Sequence, residues 1–272
     1  MHKIFKRTLL IVPALFLTAL SLWAKPVKGS AAEWTDDSVP SFYETYKDQF
    51  DYVGLCAEYG NFGLRRLGAD KYTASYEHDK NWGEPKEIYF PEIREGIKKH
   101  VNTLTTGNEL KPQFLLAWWN RGDGAKQQMV DFKASNGLTI KVPSKLNNEN
   151  LIYAVLNSCK DMGIKMRGHV LTWHSQTPDD FFAVGYKAVE SNGVLKNPVD
   201  KETMTARHEW YVKTVLECVA KWEKANGYGE GNHIIWAWDV VNEAVADGGS
   251  AAKYLRSENS KWFDVYGDKY HS

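Results

Sequence analysis

Residues 148–172 read NENLIYAVLNSCKDMGIKMRGHVLT, and the fold class turns on this stretch. Over Asn148–Met162, the residues Leu151, Ala154, Val155 and Cys159 recur at the spacing of one helical face. Gly163 follows, the residue type that ends helices because it enters the left-handed conformation without a steric cost. Ile164–Thr172 then reads as a strand. A helix turned by a glycine directly into a strand is the repeating half of an α/β domain.

The same alternation continues outward on both sides. Phe50–Cys56 (FDYVGLC) reads as a short strand, Pro91–His100 (PEIREGIKKH) as a helix with Pro at its start, and Val101–Thr105 as a strand. A long helix over Lys201–Ala225 ends before the Gly-rich GYGEG, and His233–Val241 (HIIWAWDVV) is apolar and strand-like. This order predicts a parallel sheet with covering helices. Pattern alone leaves open both a doubly wound open sheet and a closed eight-fold barrel. No glycine fingerprint for a dinucleotide or phosphate follows any strand, which counts against nucleotide binding. Residues 120–147 are polar and rich in Gly and Asn, and are expected to form a long surface loop.

Composition narrows the function classes. The chain has 272 residues, with 34 Lys+Arg balancing 34 Asp+Glu, so it lacks both the charge excess of a disordered tail and the basic footprint of a nucleic-acid binder. Eleven Trp and fourteen Tyr form a heavy aromatic load that suits a core and equally suits gripping sugar rings. Lys3, Lys6 and Arg7 precede an apolar run from Leu9 to Leu20, the pattern of a secretory signal peptide, with cleavage after Ala24 or as late as Ala32. The run is too short to span a bilayer comfortably, so the expectation is a secreted protein without stable membrane insertion, an uncleaved anchor being the alternative. Removal of residues 1–24 takes away three basic and no acidic side chains, leaving the mature chain slightly acidic. Cys56, Cys159 and Cys218 are too few and too widely spaced for a disulfide framework or a metal-ligand pair, and Cys159 reads as a small buried hydrophobe.

Polar residues gather at the ends of three strands, the face on which barrels carry their sites. Asn108, Glu109 and Lys111 follow the strand at 101–105; His169, Trp173, His174 and Gln176 lie along and past the strand at 164–172; Asp239, Asn242 and Glu243 close the last strand. In an extended strand Asp239, Val241 and Glu243 share a face. A Glu there, in a wall of Ile, Trp and Val, is expected to have a raised pKa, as a general acid requires. Each residue also has a plainer reading: Glu243 as a solvated loop carboxylate, Trp173 as core, the histidines as hydrogen-bonding structure, Asn108 as a cap and Lys111 as a surface charge. His169 and His174 are five apart, so in a strand they face opposite sides and make no metal pair.

RGHVLTWHSQTPDDFF (Arg167–Phe182) followed by WDVVNEA (Trp238–Ala244) resembles the family 10 glycoside hydrolases, the endo-1,4-β-xylanases, and LTTGNELKP (Leu104–Pro112) resembles that family's substrate-binding segment. The resemblance covers roughly residues 40–272 and implies a (β/α)8 TIM barrel that hydrolyses internal β-1,4-xylosidic bonds of xylan by retaining double displacement. It implies Glu243 as acid/base, Asn242 as partner of the sugar 2-hydroxyl, and His169, Trp173 and Gln176 around the sugar at the cleavage point. Asn108 and Lys111 would hold the next sugar on the non-reducing side. Gly107 stands where the family usually has Glu, which predicts weaker or altered binding at that subsite.

The family's nucleophile, a Glu on the seventh strand about 5–5.5 Å from the acid/base, has no counterpart here. Asp247, Glu258 and Asp264 follow Glu243, but none sits in a matching segment. A complete barrel takes roughly 250 residues, about 31 for each βα unit, and residues 244–272 form no further apolar strand. The expectation is the amino-terminal half of the catalytic domain, about four βα units, inactive alone, with an apolar sheet edge and inner face uncovered. A complementing second half of the barrel, a non-catalytic xylan-binding half-domain and a related β-1,4-glycan hydrolase are the alternatives. The chemistry needs no metal, nucleotide or redox cofactor.

Overall fold

A computed structural model describes residues 35–57, 64–66, 72–74, 91–246, 256 and 259–267. The leader read at residues 1–24, and the carboxylates Asp247 and Glu258, lie outside these residues.

Four parallel strands, β1 (Gly54–Ala57), β2 (Thr103–Thr106), β3 (Lys165–Trp173) and β4 (Ile235–Asn242), pair in chain order. Leu104 lies between Leu55 and Met166 in register, and Trp238 lies opposite Gly168. A doubly wound sheet reverses its strand order partway, whereas a barrel adds each strand beside the previous one. The unreversed order decides for the barrel type, here as an open sheet of four strands among the described residues.

Between the strands run α1 (Pro91–His100), α2 (Glu149–Met162) and α3 (Lys201–Ala225), with the bounds predicted for α1 and α3 and within one residue for α2. Gly163 takes φ 70° and gives its N–H to the carbonyls of Cys159 and Lys160, so it closes α2 as predicted. The α2 face carrying Leu151, Ile152, Val155, Leu156 and Cys159 is completely buried. Burial pushes the Cys159 thiol well above its ordinary range, and Cys159 and Cys218 are free thiols. Asp200 caps α3 by accepting the Thr203 N–H at 2.7 Å, and Met204, Trp210, Tyr211, Val215, Val219 and Trp222 form its buried stripe. At 25 residues α3 is the longest described helix, and no helix among the described residues is long and apolar enough to cross a membrane.

Gly168 is a packing requirement. A Cβ at this position would overlap the Trp238 ring, so glycine alone lets the indole of β4 lie against β3. Trp236 stacks on Tyr52 with centroids 4.1 Å apart and donates its indole N–H to Thr103 Oγ1 at 2.8 Å, tying β4 across to β2 and the start of β1.

Residues 120–147 are not the long surface loop that their composition suggested. They hold an antiparallel hairpin, Met129–Lys133 paired with Thr139–Pro143, and Val142 and Leu146 are buried in the main core. Asn136-Gly137 is a hairpin-turn signal between two alternating runs, and reading it as loop polarity missed the strands beside it. Ser135 at the tip gives both its N–H and its hydroxyl to Glu209 of α3, at 2.8 and 2.6 Å. Pro112–Leu116, expected in no element, forms a short helix with Pro in its first turn.

Candidate active site

The polar clusters predicted at the strand ends meet at the carboxyl end of the sheet. Past β2, the chain turns through residues 107–111, with the Lys111 N–H bonded to the Asn108 carbonyl at 3.0 Å. Lys111 is buried, and its ammonium donates to Asn108 Oδ1 at 3.1 Å and to Gln176 Oε1 at 2.7 Å. Gln176 in turn donates from Nε2 to Asn108 Oδ1 at 3.2 Å. Three residues separated by up to 68 positions thus form one closed network. Glu109 turns inward instead, buried and accepting the Asn108 N–H at 3.1 Å.

β3 contributes two groups at different depths. Along the strand, His169 Nδ1 lies 2.9 Å from Asp239 Oδ2, and Arg167 Nε donates to Asp239 Oδ1 at 2.9 Å. Partial burial acts to raise the Asp239 pKa, but the hydrogen bonds and charges of Arg167 and His169 outweigh it and hold the carboxyl below its ordinary value. At the strand end, Trp173 gives its indole N–H to Glu243 Oε2 at 2.9 Å, and His174 Nδ1 lies 3.7 Å from the same oxygen. Lys111 Nζ stands 4.5 Å from the Trp173 ring centre, which joins the β2 network to the β4 carboxylate. His169 and His174 therefore attend different carboxylates.

The simple alternation expected to bring Asp239 and Glu243 to one face does not hold. The β3–β4 register shifts between Asp239 and Val241, β4 ends at Asn242 opposite Trp173, and Glu243 takes φ 51° just beyond it. Glu243 also lacks the apolar enclosure expected of it among the described residues, since its side chain is 49% exposed. Its backbone carbonyl accepts the Arg256 Nε–H at 3.0 Å. Asn242 is half-buried at the strand end. Asp264 accepts the Leu195 N–H at 3.1 Å.

Two supports escaped the sequence reading. Trp262 donates its indole N–H to the Trp173 carbonyl at 3.1 Å, and the Thr172 hydroxyl lies 2.8 Å from His208 Nε2. Trp262 also meets the His208 ring edge-on, centroids 4.9 Å apart. Neither residue sits in a motif or at a strand end, so only the folded packing reveals them. Among the described residues, no group of three His, Cys, Asp or Glu side chains is placed to hold a metal ion.

The glycosyl hydrolase family 10 profile matches residues 72–272. Endo-1,4-β-xylanase A of Butyrivibrio fibrisolvens is 31% identical over 206 residues, covering 73% of this chain and 43% of that protein. Endo-1,4-β-xylanase A of Thermotoga maritima is 31% identical over 192 residues, 68% of this chain and 13% of the relative. Among solved structures, the N-terminal endo-1,4-β-D-xylanase of Clostridium thermocellum complexed with xylohexaose aligns with a TM-score of 0.51 at 24% identity, over 84% of this chain and 35% of that one. The endo-1,4-β-xylanase of Caldicellulosiruptor owensensis aligns with a TM-score of 0.50 at 24% identity, over 85% and 47%. The chain thus spans less than half the length of each of these relatives. The order of its strands, the segments that meet at their carboxyl ends and the profile match over most of its length agree, and the chain belongs to glycosyl hydrolase family 10.

Proposed function

We propose that this chain carries the glycone-binding and acid/base part of an endo-1,4-β-xylanase site, acting on internal bonds of xylan by a retaining double displacement. The observation that carries the reading is the connection of Glu243, through the Trp173 indole N–H, to the Lys111–Gln176–Asn108 network. A carboxyl that must give a proton to the leaving oxygen and later take one from water needs a fixed position and access to solvent. The Trp173 hydrogen bond supplies the first, and the half-exposed position of Glu243 the second. In this reading Asn242, one residue earlier and at the last strand pairing, meets the 2-hydroxyl of the sugar at the cleavage point. His169, Trp173 and Gln176 flank that sugar, and Asn108 and Lys111 offer amide and ammonium groups to the next one. Gly107 leaves that neighbouring position without a carboxylate acceptor.

Double displacement needs a second carboxylate about 5–5.5 Å from the first, and no residue of this chain matches the family's nucleophile. The 272-residue chain is therefore expected to bind xylo-oligosaccharides without turning them over. Calorimetric titration with xylohexaose and a reducing-sugar assay on xylan test both halves of this statement. Binding of xylohexaose, weakened in Asn108→Ala and with no release of reducing ends, is the expected result; clear turnover by the purified chain overturns the assignment of roles. Titration with a mixed-linkage β-glucan oligosaccharide separates this reading from that of a related β-1,4-glycan hydrolase. We further propose that residues 1–24 direct export and are removed, which amino-terminal sequencing of the secreted product checks.

A further inference from the structure

Arg207, in the second turn of α3, is 5% exposed, and no carboxylate pairs with it among the described residues. Its Nη1 group donates to the carbonyls of Phe181 and Ala183, at 2.8 and 2.9 Å. The Tyr186 ring covers one face, its centre 3.7 Å from the guanidinium carbon. The Nε–H is buried and meets no acceptor among the described residues. Carbonyls and a ring face attract a cation without neutralising it, and a buried charge ordinarily has a counter-charge because leaving water is costly. Burial pulls the Arg207 pKa below its ordinary value, with Tyr186 and Asp200 opposing it. Asp200 is itself engaged as the cap of α3, taking the Thr203 N–H at 2.7 Å and the Thr203 hydroxyl at 2.9 Å.

Arg207 also forms part of the wall of a pocket of about 370 Å³ between the hairpin at 129–143 and the start of α3. The remaining wall is largely apolar, with Ala125, Met129, Ile140 and Tyr186 beside Thr203. None of these side chains belongs to the network around Glu243. We propose that the pocket is a site for a small organic carboxylate with an apolar body, whose carboxyl supplies the counter-charge that Arg207 lacks. With Nη1 spent on two carbonyls, the edge formed by Nε and Nη2 is the one that receives both oxygens of a carboxylate. The volume lies at the lower end of the roughly 300–1,000 Å³ range of small-molecule pockets, which suits a body of one ring. Lys141, the other cation on the wall, pairs with Asp131 at 2.9 Å in an exposed position, so the buried guanidinium is the charge that selects. A neutral sugar would leave that charge uncompensated and set hydroxyls against Met129 and Ile140. Inorganic phosphate would bring charge but leave the apolar wall uncovered. The site is independent of the xylanase reading.

The test is calorimetric titration of the full 272-residue chain with sodium benzoate, compared at neutral pH and equal ionic strength with benzyl alcohol, acetate and inorganic phosphate. Saturable binding of benzoate, with each of the other three weaker by about tenfold or more, is the expected result. Ile140→Glu replaces a half-buried hairpin side chain and sets a carboxylate on the wall, and is expected to weaken benzoate by a similar factor. Arg207→Met is expected to abolish binding; where that variant does not fold, Ile140→Glu carries the decision. A rise in Tm with benzoate, absent from Ile140→Glu, accompanies the expected result. Absence of saturable benzoate binding overturns the site. Equal binding of benzyl alcohol overturns it too, by showing an apolar pocket without charge recognition, as does equal binding of acetate or phosphate, a general anion effect. Benzoate bound at unchanged strength by folded Ile140→Glu places the ligand elsewhere and has the same consequence.

Discussion

Trp173 joins chemistry to support through opposite ends of one residue. Its indole N–H holds Glu243, while its carbonyl accepts hydrogen bonds from Thr177 and Trp262. One residue earlier, Thr172 is held by His208, whose imidazole is lowered by burial to about 4. The sign of the resulting pH dependence follows directly. The unfolded chain takes up a proton on this histidine near pH 6.5 and the folded chain does so only near 4, so the contribution is complete above about 6.5 and is lost as pH falls toward 4. At most about 3 kcal/mol is involved. Urea midpoints measured from pH 7.5 to 4 are expected to fall more steeply for the unmodified chain than for His208→Gln; parallel curves contradict this.

At the scale of elements, the hairpin at 129–143 is held to α3 at its tip rather than only along its length. Glu209 receives Ser135 from the hairpin and Lys213 from its own helix, and these hydrogen bonds, Lys213 first, hold its carboxyl down to about 2. The anchorage is thus present above the unfolded value, near 4.3, and is lost as pH falls toward 2. Limited proteolysis at residues 134–138 is expected to accelerate in that window, and Glu209→Gln to show the faster cleavage already at pH 7.

Helices were the most legible elements in the sequence. Their buried stripes repeat at a period that local composition cannot disguise, and Gly163 and the GYGEG run punctuate their ends. The hairpin was less legible because its two strands are only five residues each and the Asn136-Gly137 turn between them has the polar composition of a loop. At the site, Asn108, Lys111, Trp173, Gln176 and Glu243 were readable from strand ends and family motifs. The enclosure of Glu243 was misjudged because a register shift in β4 and a positive φ at Glu243 redirect a side chain that strict alternation would have turned inward. His208 and Trp262 were illegible because their role depends on two long-range hydrogen bonds and on no local pattern.

For the whole molecule, the open sheet has a physical consequence at β4. Val240, Val241 and Val245 are each more than half exposed along this end of the sheet, beside backbone that pairs on one side only among the described residues. An exposed, apolar strand edge is a template for intermolecular pairing. Sedimentation over a range of concentrations is expected to show self-association of the 272-residue chain, diminished in Val241→Lys, which places a charge on that edge. A monomer at every concentration means that the edge is covered.

The agreement between spatial and chain order also bears on biosynthesis. Each strand of the sheet pairs with the one made just before it, so β2 can dock on β1, β3 on β2 and β4 on β3 as the polypeptide leaves the ribosome. Among the described residues no pairing within the sheet waits on a distant, later segment, and the loop entropy of each step is set by a single intervening crossover. A nascent chain of this architecture can grow its core one layer at a time, with just one newly made edge awaiting its neighbour at each stage of elongation.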